Sequence, residues 1–403
     1  MARLNHELSS DSGSSDSRST PRHIGVVAPV DLNVLSPMID GPRASTEGYA
    51  ARVTSELVVG LHAQGSEVSV YTLSADPRDH CSMSGDRLRI HVLPMRTEGR
   101  ARDFFRTEID SLIGAIRADP PDVLHAHWTY EFALAALRTE IPTIVTVRDW
   151  GPQILRYHPH PYRLVRLAMQ ARVLRSAPHL TANSPYIAGK VKHWYRRDVP
   201  VIPNGVQVPD ALPDREPQPA LTIGSVNNGF GGRKNVGTLI KAFSRIRAEL
   251  PDSRLRLVGS GFEPDGKAQR WALERSLAHG VEFVGPLPSD EIPGFMRSIE
   301  LLVHPSLEES FGRTLIEAMV EGTLVIGGER SGAVPWVLGN GTAGSLVDVR
   351  SSRAIADMVL AIAADAPAWP AMRARAFDRV AREFSMESVT EAYLDIYRSV
   401  LGV

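Results

Sequence analysis

HisProSerLeuGluGluSerPheGlyArgThrLeuIleGluAlaMetValGluGly, residues 304–322, sets two carboxylates, Glu309 and Glu317, with seven residues between them. Leu301, Leu302 and Val303 just before it read as the end of a buried strand, and Pro305 forbids simple continuation of that strand. Phe311 and Gly312 offer a turn in which backbone amides can approach a ligand, because Gly312 has no Cβ. The apolar spacing of Leu315, Ile316 and Met319 predicts a helix from near Arg313 to Gly322, glycine being the usual residue past a helix end. Strand, turn and helix N-terminus together describe a phosphate-binding crossover, since free amides at a helix start carry positive partial charge.

Glu317 falls one turn inside that helix, where its oxygens can accept hydrogen bonds from ribose hydroxyls, and Glu309 in the loop can do the same for a second sugar. A diphosphate between two sugars is a nucleotide sugar. The same carboxylates would equally serve a helix dipole and the solvent, and their spacing alone does not choose.

Working outward, 403 residues exceed one ordinary core and predict two domains. A hydrophobic content of 43% and a charged content of 23% are those of a globular protein. The formal net charge of −1 gives no electrostatic case for nucleic acid. Cys81 is the only cysteine, which excludes an intrachain disulfide and a thiolate zinc cluster. Residues 1–22 are rich in Ser, Asp and Arg and read as a disordered tail rather than a signal peptide. No stretch reaches the roughly 18 apolar residues of a membrane span, so a cytoplasmic location is expected.

Two series of alternating strands and helices predict an α/β architecture of two parallel sheets covered by helices. The first series runs through Ile24–Val30, Val68–Leu73, Val123–His127, Ile144–Val147, His179–Ala182 and Val201–Pro203, with a helix from about Ser45 to Gln64 between its first two strands. The second runs through Leu221–Val226, Leu255–Val258, Glu282–Val284, Leu301–His304, Leu324–Ile326 and Ser345–Val347. Five prolines between Pro203 and Pro219 mark the linker. The expected domains are therefore 23–205 and 206–384, followed by a helix over Ser385–Leu401 whose apolar face carries Val389, Ala392, Tyr393 and Tyr397. Paired domains of this kind bind ligand between the carboxyl ends of their strands.

Arg233 and Lys234 precede a helix predicted over Asn235–Leu250, and two fixed cations there would neutralise a leaving diphosphate. The chain has no Asp-x-Asp pair to bridge that diphosphate through a metal, so no metal site and no cofactor are expected. His125 and His127 lie two apart on a strand and share a face, without a third metal ligand at recognisable spacing.

Residues 304–322 resemble the signature of retaining family 4 glycosyltransferases of GT-B fold, in which Glu, seven residues, then Glu is embedded in Ser, Glu, Phe-Gly and Glu-Ala. That resemblance implies two Rossmann-like domains facing across a cleft, with the terminal helix crossing back onto the first. It implies that Glu309 contacts the donor sugar and Glu317 the ribose; Glu308 has the wrong spacing for the motif. Backbone amides around Phe311, Gly312, Arg313, Thr314 and Leu315 would hold sugar hydroxyls and diphosphate. Asp122 to His127 is similar to a family strand end whose second His reaches the donor sugar, which selects His127. Gly259 and Val284 fall in segments that flank the base. Lys234 and Asn235 match the family's cationic loop, but Asn227 or Asn228 stands where its Arg is expected, leaving Arg233 as the substitute.

The acceptor half matches less closely. ThrValArgAspTrp, residues 146–150, looks like a Thr-x-His-Asp segment with Arg148 in place of His, and Asp149 would orient an acceptor hydroxyl. Glu47 and Gly48 would belong to an acceptor loop that is richer in glycine elsewhere in the family, and Asn204-Gly205 match its hinge. Arginines from Arg156 to Arg175, interleaved with Tyr and Leu, allow a solvated surface helix or a peripheral membrane contact. The implied activity is transfer of a sugar from a nucleoside diphosphate sugar to a hydroxyl-bearing acceptor. Its rivals are an epimerase or phosphorylase on the same architecture and a catalytically silent partner subunit. A dinucleotide oxidoreductase is disfavoured by the lack of a Gly-x-Gly-x-x-Gly after an early strand.

Overall fold

The structure, a computed structural model, describes residues 23–40, 51–215 and 220–403. Among the described residues thirteen strands form two sheets, one of seven in the order β3-β4-β2-β1-β5-β6-β7 and one of six in the order β10-β9-β8-β11-β12-β13. The first contains β1 His23–Val27, β2 Glu67–Ser74, β3 Cys81–Gly85, β4 Leu88–Pro94, β5 Val123–His127, β6 Thr143–Val147 and β7 His179–Ala182. The second contains β8 Thr222–Val226, β9 Arg254–Val258, β10 Val281–Gly285, β11 Leu301–His304, β12 Leu324–Gly328 and β13 Ser345–Val347. Central strands are buried on both faces, as continuous apolar runs such as LeuLeuValHis require when helices cover a parallel sheet.

Both sheets reverse their order of growth at one place. In the first, β1 lies between β2 and β5; in the second, β8 lies between β9 and β11. Chains leave the sheet in opposite directions at such a switch, and a crevice opens beyond the strand ends. β5 ends in His127, singled out by sequence, and β11 ends in His304, which opens the 304–322 run.

Four expectations need correction. The first sheet is not wholly parallel, because β3 pairs antiparallel with β4. CysSerMetSer offers no apolar run, so β3 has no sequence signal; it exists because Leu88, Ile90 and Val92 alternate inward on β4 and leave an edge to be paired. Val201–Pro203 is not a strand but contributes a single bridge, Val201 to Ala182, consistent with prolines on either side of it. The first long helix is Arg52–Ala63, and the part expected over 45–50 lies outside the described residues. The helix over 313–322 stops earlier, at Val320.

The terminal helix, Met386–Leu401, returns to the first sheet. Val206 and Ser385 form a bridge where the chain crosses in each direction. Val389, Tyr393, Leu394 and Tyr397 then bury themselves with Ile24, Val26, Leu57 and Leu61 of the first core. The helix lies so close to Arg52–Ala63 that a Cβ on Gly60 would overlap Thr390 Oγ1. Among the described residues no single helix is long and apolar enough to cross a membrane.

Candidate active site

Glu309 sits at the centre of a cationic cluster on the second sheet. Lys234 Nζ lies 2.6 Å from its Oε1, His304 Nε2 3.3 Å and Arg233 Nη1 3.6 Å. The loop is held by backbone, Ala333 N donating to Glu309 O at 3.0 Å. Burial alone would raise the Glu309 carboxyl, but Lys234, His304 and Arg233 hold it well below the usual carboxylate range. Its neighbour Glu308 is pushed the other way, by burial and by the charge on Glu309. Arg233 also donates to Glu308 O at 2.9 Å, which fixes its guanidinium beside Lys234. Asn227, where a second cation is expected, is buried and donates to Ser225 Oγ at 2.9 Å.

Gly312 is the N-cap of helix Arg313–Val320 with φ +91° and no side-chain cap, which leaves the first-turn amides to other partners. Phe311 is buried against Trp336 and Phe384 and anchors the turn from below. Thr314 Oγ1 reaches His304 Nδ1 at 3.4 Å, and Leu315 N donates to Gly312 O at 3.0 Å. Glu317, one turn on, accepts from Arg313 Nε at 2.7 Å through Oε1. Arg313 Nη2 in turn lies 2.5 Å from Glu56 Oε2 on the first domain's helix. Burial would lower the Arg313 guanidinium, but Glu317 and Glu56 raise it above its ordinary value. A cavity between the two halves is lined by Arg52, Glu56, Gln207, Ser289, Arg313 and Glu317. Gly259 directly follows β9 at φ +117°, where any side chain would collide with the Asn227 carbonyl. Val284 lies next to last on β10, at the neighbouring strand end.

Across the crevice the two strand-end histidines differ. His125 is sealed between Tyr397 Oη and Thr146 Oγ1, each at 2.7 Å. His127 accepts from Arg148 Nε through Nδ1 at 2.9 Å, and its buried Nε2 has no partner. Burial lowers both imidazoles well below their ordinary value, so both are neutral. Asp149 accepts from Tyr130 Oη at 2.9 Å, and burial pushes its carboxyl up. Glu47 and Gly48 lie outside the described residues.

The site therefore joins Glu309, Lys234, Arg233, Thr314 and the 311–315 turn on one wall, with His127 on the other. Ser184 Oγ spans the two, donating to Ser310 O at 2.6 Å. Sequence reasoning missed His304, Glu56 and Arg313 as a bridging group. His304 was visible as a strand-end imidazole five residues before Glu309; the Glu56 to Arg313 pair is 257 residues apart and leaves no local signal.

Residues 50–208 match the model of Glycosyltransferase Family 4, and residues 217–379 that of Glycosyl transferases group 1. A phosphatidyl-myo-inositol mannosyltransferase of Mycolicibacterium smegmatis is 28% identical over 290 residues, covering 70% of this chain and 72% of that one. The sucrose-phosphate synthase of Thermosynechococcus elongatus superposes with a TM-score of 0.77 at 20% identity, over 94% of this chain and 99% of that one. HepE of Anabaena, solved with UDP-glucose, superposes with a TM-score of 0.68 at 16% identity, over 94% and 99%. With matched segments on both sides of the crevice and the same two-sheet frame, the chain belongs to the family 4 glycosyltransferases of GT-B fold, enzymes that draw on a nucleotide-sugar donor.

Proposed function

We propose that the protein is a retaining, metal-independent transferase that moves a sugar from a nucleoside diphosphate sugar to an acceptor hydroxyl. The observation that carries this reading is the Lys234, Arg233 and His304 cluster around Glu309, set beside an uncapped helix start. Lys234 uses one of its three N–H donors on Glu309 and keeps two for phosphate oxygens. In the reaction the bond between the sugar C1 and the β-phosphate oxygen breaks, and charge grows on the diphosphate as Lys234, Arg233 and the amides of Arg313 and Thr314 receive it. The acceptor oxygen bonds C1 on the same face and its proton passes to the departing phosphate oxygen. Glu309 and His127 position the sugar, and Glu317 holds the ribose. HepE was solved with UDP-glucose and the relative of Mycolicibacterium smegmatis is named as a mannosyltransferase, so a glucosyl and a mannosyl donor are the two to test first.

Titration of UDP-glucose and GDP-mannose against the full chain, followed by NMR of the product, tests the reading. Expected is binding of one donor, transfer with the anomeric configuration kept, and full activity in excess chelator. Activity lost to chelator and restored only by a divalent metal would overturn the metal-free step. Donor turnover without any glycoside product favours the epimerase reading, and donor binding with neither turnover nor transfer favours the silent subunit.

A further inference from the structure

The crevice wall formed by β5 and β6 holds a positive charge that no carboxylate answers. Arg148 follows β6 and is 6% exposed. Its Nε donates to His127 Nδ1 at 2.9 Å and its Nη1 to Asn204 Oδ1, both neutral acceptors. Among the described residues no Asp or Glu lies within ion-pair distance of it, and its charged neighbour across the crevice is another cation, Arg313. Two other shielded arginines are met by carboxylates, and a third, Arg215, by the backbone carbonyls of Met296, Arg297, Ile299 and Glu321. Arg166 has Glu131, and Arg313 has Glu56 and Glu317. Burying an ion without a counter-charge is costly, and folded proteins avoid it unless another group completes the site.

The adjacent imidazole adds a second unmet donor. A guanidinium can only donate, so the Arg148 bond makes His127 Nδ1 an acceptor and places the imidazole proton on Nε2. That Nε2 is the buried atom with no partner. A fixed cation and an orphaned N–H side by side call for the same complement, an oxygen carrying negative charge. Trp128 lies under the guanidinium at 5.7 Å and Asn204 holds its edge, so the group is set in place rather than free to reach solvent. On the proposed reading the donor diphosphate is met by Lys234, Arg233 and the amides of Arg313 and Thr314 on the opposite wall.

We propose that Arg148 and His127 bind a carboxylate or phosphate oxygen carried by the substrate outside the diphosphate, which makes Arg148 a specificity-determining residue. The inference rests on the transferase reading of the crevice. Two sources share this chemistry: a uronate carboxylate on the transferred sugar, or an anionic group on the acceptor. Asn204, at the crossing between the two halves, ties the bound anion to the hinge.

The test uses the purified full chain and calorimetry. UDP and GDP are titrated first to identify the base. Then UDP-glucose is compared with UDP-glucuronic acid, or GDP-mannose with GDP-mannuronic acid. For the acceptor arm, glucose is compared with glucose 6-phosphate, and myo-inositol with its monophosphate, in saturating nucleoside diphosphate. Expected is at least tenfold tighter binding of the anionic member in one arm, which names the source. Arg148→Gln should erase that preference and leave the affinity for free nucleoside diphosphate within twofold; Arg148→Lys, which keeps the charge, should retain part of it. Should Arg148→Gln fail to fold, the Lys variant and the salt dependence of the wild-type preference carry the test. No preference in either arm, or a preference that survives Arg148→Gln, overturns the assignment. Failure of both UDP and GDP to bind instead overturns the transferase reading beneath it.

Discussion

Glu309 and Glu317 share a motif but not an environment, and their variants should separate. Arg313 occupies Glu317 through Oε1, and the second oxygen is available to a ribose hydroxyl. Glu317→Ala is expected to weaken free nucleoside diphosphate by about 1.5–3 kcal/mol, the range for hydrogen bonds to a charged acceptor; unchanged affinity by calorimetry would sink the assignment. Glu309 instead neutralises Lys234 and Arg233. Glu309→Ala should spare or tighten the nucleoside diphosphate, because it frees both cations, while impairing the intact donor. Equal losses for both ligands would contradict its role. His125 and His127 set a pH dependence of stability. Their imidazoles are held below the ordinary value, so the unfolded chain takes up protons below about pH 6.5 that the folded chain refuses. Stability is therefore complete above that pH and falls as pH drops through it, by up to about 1.4 kcal/mol per pH unit for each imidazole. Comparing denaturant midpoints of wild type and His127→Gln from pH 7.5 to 5.5 isolates this imidazole from Glu308 and Asp149, which burial pushes upward. Parallel profiles would show that His127 does not contribute. Glu309 was singled out by its spacing from Glu317 and Lys234 by its place before a helix start, whereas His127 was chosen over His125 by resemblance alone. What Glu309 is bonded to was not, since Lys234 reaches it from 75 residues away.

Among the elements, the terminal helix was legible as a periodic apolar face, and its destination was supplied by resemblance alone. Periodicity says which side is buried but not against what. The contact that decides the matter, Tyr397 Oη to His125 Nδ1, is 272 residues apart in the chain. Tyr397→Phe should cost about 1–2 kcal/mol, because it strands a buried imidazole nitrogen. Gly60→Leu should cost more, since Thr390 leaves no room for a side chain at the helix crossing. Thermal unfolding of the two variants checks the order; a Gly60→Leu protein as stable as wild type would mean that the helices do not approach as described. The β3 hairpin was illegible for the opposite reason, its strand being stabilised by what β4 needs rather than by its own residues.

At the scale of the molecule, Arg313 joins the halves through Glu317, the residue proposed to hold the ribose. Its guanidinium is shared by Glu56 of the first half and Glu317 of the second, and Arg52 extends the chain to Ser289 O at 2.9 Å. A ribose that engages Glu317 alters what Arg313 can offer Glu56, so donor binding and the spacing of the halves are linked. Glu56→Gln should loosen them: small-angle scattering is expected to give a larger radius of gyration without donor, with the difference reduced when donor is bound. Identical scattering in both conditions would remove Arg313 from any role in closure.

The terminal helix has one more consequence, in the order of synthesis. Residues 386–401 follow the entire second sheet in the chain, yet they supply Tyr393 and Tyr397 to the core of the first. A nascent chain that has already made β1 to β7 still has an open face over His125, with apolar side chains awaiting a cover that leaves the ribosome much later. The half that is translated first is completed last, and until then its uncovered apolar face is open to association with other chains.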